Sequence, residues 1–105
     1  NILVNPGQYG IAIAGGHDNK VLNNKVYSSI FPWSNVGIYV WNQYAPAAYN
    51  ETVIGNRVNW TKRDGSANNW WNGGNAGTIN MNNNVFGDPT IGTGIWNETF
   101  TQCGG

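Results

Sequence analysis

GIAIAGGHDNKVLNNKVY, residues 10–27, reads as one turn of a coil. Gly10-Ile11-Ala12-Ile13 alternates apolar and small residues, which is the period of a β-strand. A polar loop, residues 14–20, follows, and a second short strand then runs through Val21-Leu22, the pair Asn23-Asn24 and Lys25-Val26-Tyr27. The same two-part phrase returns as Gly37-Ile38-Tyr39-Val40, a loop, and Val53-Ile54-Gly55-Asn56-Arg57-Val58. Working outward, the sub-pattern Asn-x-(Val/Leu) occurs at Asn1, Asn24, Asn56 and Asn83, at intervals of 23, 32 and 27 residues. A further Gly-Ile-x-apolar copy is faint at Gly94-Ile95-Trp96. For the third turn the matching strand is either residues 76–79 or hidden near Trp70-Trp71.

Repeats of about 20–45 residues that cannot bury an apolar face alone do so by stacking. The expected fold is therefore all-β: a right-handed parallel β-helix, or solenoid, of three to four rungs with two inserted loops. The chain reads as one segment, 1–105, with repeat rungs over 1–86 and a terminal rung or cap over 87–105. The recurring Asn should turn each corner, since its short amide tolerates left-handed backbone. Stacked over its equivalents it can form an amide ladder, so Asn24, Asn56 and Asn83 are expected to hydrogen-bond along the stack. The alternative is an exposed turn residue. The inserted loops are residues 41–50, with Trp41, Tyr44 and Tyr49, and residues 60–75, with Trp60, Trp70, Trp71 and the Lys62-Arg63-Asp64 cluster. Insertions in such stacks gather on one side and often bear function.

Composition agrees with many short strands and many turns. The chain has 19 Asn and 15 Gly but only 10 charged residues, with five Lys/Arg balancing five Asp/Glu. Such neutrality gives no electrostatic reason for a nucleic-acid or anionic-membrane partner. No apolar run approaches the roughly 20 residues that span a bilayer. Asn and Gly disfavour long helices. The 14 aromatics and regular Ile/Val spacing argue against disorder. Cys103 has no intrachain partner, leaving an incidental thiol or an intermolecular bridge. Because Ile2-Leu3-Val4 already looks like the end of a strand, the segment is expected to come from a longer polypeptide.

The phrase residues 10–26 and its return over residues 37–58 resemble the parallel β-helix repeats of the pectate-lyase-like superfamily. The likeness spans roughly residues 1–86. It implies a secreted or cell-surface protein that acts on, or adheres to, polysaccharides. No catalytic motif of that superfamily maps onto these residues. If the segment belonged to an enzyme, it would be a polysaccharide lyase, hydrolase or epimerase.

The candidate chemistry is sparse. Asp18 and Glu51 precede the Asn-rich strand at similar points of successive rungs. Neighbouring strands lie about 4.8 Å apart, so the two carboxylates are expected to approach as a hydrolase pair would, unless both are solvated loop acids. His17, the only His, adjoins Asp18 and is a candidate base or a plain turn residue. Lys25 and Arg57 sit one residue after equivalent Asn residues and should point outward together. They would either grip an anionic sugar or merely solubilise the face. One His and no Cys cluster give no zinc site, and Asp64 and Asp88 lack the spacing of a calcium loop. No metal or cofactor is expected.

Aromatics carry the stronger signal. With Ile38 and Val40 inward, Tyr39 and Trp41 face out. Together with Trp60, Trp70, Trp71, Lys25 and Arg57 they make the expected carbohydrate-binding set; the alternative is a satellite core under the loops. Asn50, Asn59 and Asn97 head N-x-Thr sequons and are possible glycosylation acceptors. Two functions follow: an extracellular polysaccharide-binding module, or a structural solenoid whose open ends stack into an oligomer or filament.

Overall fold

A computed structural model describes residues 1–29, 32–43, 47–92 and Gly94. Tyr44, Asn97 and Cys103, with the faint repeat at Ile95-Trp96, lie outside the described residues. The described residues form an all-β chain with no helix. The strands are β1 (Ile2–Val4), β2 (Tyr9–Ile13), β3 (Lys20–Leu22), β4 (Lys25–Ser28), β5 (Val36–Val40), β6 (Glu51–Ile54), β7 (Arg57–Trp60), β8 (Trp70–Asn72), β9 (Ile79–Asn82) and β10 (Val85–Phe86). Each pairs in parallel with the strand three places on. Three sheets result, ordered β1-β4-β7-β10, β2-β5-β8 and β3-β6-β9.

The register aligns the two copies of the phrase. Ile11 lies beside Ile38 and Ile13 beside Val40; Val21 lies beside Val53 and Val26 beside Val58. These residues stack into apolar columns, of which Leu3–Val26–Val58–Phe86 is the longest. Val26, Ile38, Val40, Val53 and Val58 are completely buried. β-Branched side chains on a pleated, enclosed surface pack in this way, and the columns meet as one core that includes the fully buried Trp60.

The third copy runs through Trp70–Asn72, beneath Ile38–Val40. The insertion expected over 60–75 is accordingly narrower. Trp60 ends β7, β8 occupies 70–72, and only the turn between them projects, pinned by an antiparallel bridge from Thr61 to Ala67.

The corner after β3, β6 and β9 divides its work between two successive positions. Asn23, Gly55 and Asn83 are aligned and all left-handed, with φ of 55°, 72° and 56°. The residue after each is the ladder position. Asn24 Nδ2 donates to Asn56 Oδ1 at 2.9 Å, and Asn56 Nδ2 donates to Asn84 Oδ1 at 3.0 Å. The Asn1 amino group donates to Asn24 Oδ1 at 2.9 Å, extending the same column. Asn83, expected in the ladder, belongs instead to the left-handed corner, and Asn84 takes the rung. The reason is register: Phe86, not Val85, continues the column of Val58.

Candidate functional site

On the outer face of the β2-β5-β8 sheet, alternation sets Tyr39 and Trp41 opposite the buried Ile38 and Val40. Tyr39 pairs with Trp71 on β8. The rings run in a chain. Tyr9 and Tyr39 lie 4.9 Å apart, Tyr39 and Trp71 6.1 Å, and Trp71 and Trp41 5.8 Å. Tyr39 is covered by these neighbours, whereas Trp41 and Trp71 remain 41% and 46% exposed. A pocket of about 290 Å³ opens among Tyr9, Asn35, Val36, Tyr39, Trp41, Asn68 and Trp71. Its size is near the lower bound of about 300 Å³ for small-molecule sites. Trp41 holds its place because Gly73 lies beside it; a Cβ there would meet the indole Cγ at 2.8 Å. The Tyr39 hydroxyl accepts from Gln43 Nε2 at 3.2 Å, and Asn68 Nδ2 donates to the Asn35 carbonyl at 2.7 Å.

Two of the expected aromatics face elsewhere. Trp60 is fully buried, since it follows Val58 by two and shares its inward parity. It is a core residue and presents no face to a ligand. Trp70 lies beneath Ile38 and stacks on Phe86, centroids 5.7 Å apart with planes 16° apart. It packs against the core, half-buried, on the opposite side of its strand from Trp71. Tyr9, Asn35, Val36 and Asn68 were not singled out in the sequence. Only Tyr9 carries a signal there, as an aromatic immediately before the Gly-Ile phrase.

Lys25 and Arg57 do lie side by side, but on the β1-β4-β7-β10 sheet and away from the pocket. Arg57 Nε is 2.7 Å from Asp88 Oδ2, so its charge is compensated. Asp88 is buried and accepts from the Thr90 hydroxyl at 2.7 Å and backbone N–H at 2.9 Å. The Thr90 hydroxyl, the Thr90 N–H and Arg57 together hold its carboxyl below the ordinary value of 3.8, against an opposing effect of burial. A depressed folded-state value favours the fold above the unfolded value and loses that contribution as pH falls. Asp88→Asn is thus expected to be less stable than the parent at neutral pH, with the gap closing below about pH 4. Urea unfolding at both pH values measures it; an equal gap at both contradicts this assignment.

The carboxylates expected to pair do not form a catalytic couple. Asp18 aligns with Asn50, and it is Asn19 that aligns with Glu51. Glu51 is fully buried; its carboxylate accepts from the Asn19 backbone N–H at 3.2 Å and from Asn19 Nδ2 at 3.1 Å. Asp18 is in solvent, where it contacts His17 Nδ1 at 2.6 Å and accepts from Asn50 Nδ2. Both contacts lower its carboxyl from the ordinary 3.8. His17 lies flat on Tyr49, centroids 4.6 Å apart. The group is a polar corner between neighbouring strands, with each acid held by amides. Among the described residues no cluster of three or more His, Cys, Asp and Glu is arranged to hold a metal.

Of the sequon residues, Asn50 is exposed and left-handed, while Asn59 Nδ2 donates to the Ile91 carbonyl at 2.8 Å.

Compared with known proteins, the chain matches no family model, no curated protein sequence and no solved structure.

Proposed function

We propose that this chain is a carbohydrate-binding segment of an extracellular, right-handed parallel β-solenoid, with three coils and the start of a fourth. The single observation that carries the function is the pocket on the β2-β5-β8 face, walled by two half-exposed Trp residues and two Tyr residues. Sugar rings present C–H groups on one face and hydroxyls around the rim. Aromatic faces gain from covering the former, while amides and phenols bond the latter. The solenoid supplies stiffness: three parallel strands hold the rings at fixed offsets, so little ordering entropy is lost on binding.

Trp71→Ala is expected to weaken glycan binding by about tenfold or more, since a buried aromatic anchor is worth 2 kcal/mol or more, on the order of a tenfold change per 1.4 kcal/mol. Gly73→Ala, which pushes Trp41 aside, should weaken it too. Calorimetric titration of soluble oligosaccharides measures both. Undiminished affinity in both variants rejects the face as the site.

A second reading is structural. Met81 on β9 lies in the column of the fully buried Val53 yet is 40% exposed, and Phe86 on β10, in the column of the fully buried Val58, is only partly buried. Apolar column residues on outermost strands invite a further coil, and a second copy would supply one. Sedimentation at increasing concentration separates the readings: a monomer throughout rejects self-stacking.

A further inference from the structure

The residues that line the pocket also restrict which sugar it takes. We propose that it binds a single neutral pyranoside chain, one or two rings at a time, and discriminates against uronates of the same ring geometry. The inference rests on the glycan reading above and narrows its ligand.

Among the described residues no Asp, Glu, His, Lys or Arg lines the pocket. A carboxylate entering it would shed water without meeting a cation, which disfavours the charged ring. The paired cations that would suit a uronate are on another face. Lys25 and Arg57 project from a different sheet, and Arg57 already faces Asp88. Arg63 donates its backbone N–H to the Ser34 carbonyl at 2.9 Å, and neither Arg63 nor Lys62 lines the pocket.

The polar groups in the pocket match hydroxyls instead. Tyr39 accepts from Gln43, which leaves its own proton to donate. Asn68 spends an N–H on the Asn35 carbonyl and keeps Oδ1 as an acceptor. Sugar hydroxyls both donate and accept, so they satisfy this mixed set at no charge cost.

Ring angles decide the form of the ligand. Tyr9 and Tyr39 are inclined at 62°, Tyr39 and Trp71 at 54°, and Trp41 and Trp71 at 70°. Consecutive rings are never coplanar. A coplanar row would suit the flat surface of an ordered polymer. Inclined walls suit one ring seated on a face while the next ring borders its edge. A pyranoside whose hydroxyls are equatorial exposes C–H groups on both faces and fits between such walls.

The test is calorimetric titration of the chain with a β-1,4-linked glucose pentamer and with its β-1,4-linked glucuronate counterpart. These differ only in the C6 carboxylate. A panel of neutral manno-, xylo- and galacto-configured pentamers runs alongside, at about 20 and about 500 mM salt. The expected result is a neutral pentamer bound at least about tenfold more tightly than the uronate. Its affinity should be unchanged by salt and lost in Trp71→Ala. Equal or tighter uronate binding that weakens with salt overturns neutrality and leaves the glycan reading standing. Retention on an insoluble ordered polymer with no binding of soluble chains overturns the single-chain form alone. Binding of no glycan in the panel, with no retention on the insoluble polymer either, overturns the glycan reading, and this inference with it.

Discussion

Asn56→Ala should destabilise the chain by about 3–5 kcal/mol, as each unpaired buried polar group costs about 1–3 kcal/mol and such costs add imperfectly. That is a large share of the roughly 5–15 kcal/mol a domain has. Asn56 is fully buried, and its amide is saturated. Its Oδ1 accepts from the Asn24 backbone N–H at 3.0 Å and from Asn24 Nδ2 at 2.9 Å. Its Nδ2 donates to the Val21 carbonyl at 2.9 Å and to Asn84 Oδ1 at 3.0 Å. Alanine would leave the Asn24 backbone N–H and Asn24 Nδ2 without their shared acceptor and would remove a donor from the Val21 carbonyl. Asn56→Asp keeps the acceptor but loses both donors and turns a charge toward two oxygens, so it should fare no better. Asn83→Gly should be nearly silent, because the aligned corner residue is Gly55 and the position asks only for left-handed backbone. Urea unfolding followed by Trp fluorescence measures all three. A loss below about 1 kcal/mol for Asn56→Ala would mean that the ladder is replaceable by water.

That contrast shows how far the sequence can be read. The alignment of residues 10–26 with 37–58 is legible because the phrase repeats in both halves, and an apolar column needs the same residue class at the same parity. The third copy is harder to see because its column residue is Trp70 rather than Ile. At the margin of the core, against Phe86, the column accepts a large ring, whereas the middle strand of that sheet holds Ile38. The ladder is legible as a chemistry but not to the residue. Asn82-Asn83-Asn84 offers three candidates, and only the pairing of Val85 with Arg57 selects the last.

The candidate site divides in the same way. Parity places Tyr39 and Trp41 outward, and followed two residues beyond Val58 it also places Trp60 inward. Parity from Val53 likewise buries Glu51, two residues earlier. Position in a presumed loop misleads at Trp60 because the strand runs on to that residue. Asn35 and Asn68 give no local signal. They reach the pocket through the parallel pairing of β2, β5 and β8, which brings together residues some 30 apart in the chain, a relation no single stretch displays.

Gly37→Ala should be the costliest change of a single carbon in the chain apart from its neighbour Gly10→Ala. Small-to-large changes in a closed core cost about 1–3 kcal/mol and occasionally more. Gly37 is set at the upper part of that range by what surrounds it. A Cβ there would lie 2.7 Å from the Asn69 carbonyl oxygen, 2.7 Å from Val58 Cγ1 and 3.3 Å from Trp60 Cβ. The first belongs to the backbone of the adjoining turn, and the other two to completely buried side chains, so none yields by a simple rotation. At Gly10 a Cβ would fall on the Gly37 carbonyl oxygen and within 2.7 Å of Val26 Cγ1. The two glycines therefore let successive strands enter the same sheet at a corner where backbone passes over backbone. Relief requires β5 to move away from β8, and that movement carries Tyr39 away from Trp71. Gly37→Ala is thus expected to lose about 3 kcal/mol in urea unfolding. It should also weaken glycan binding at temperatures where the variant is still folded, although the added methyl would meet Asn69, Val58 and Trp60 and none of the pocket-lining side chains. Gly92→Ala, with nothing within 4 Å of its Cβ position, is the matched control and should change neither quantity. If Gly37→Ala unfolds like the parent, the close approach of β5 to Val58, Trp60 and Asn69 is not the tight corner described, and the rigidity assigned to the aromatic face loses its structural basis.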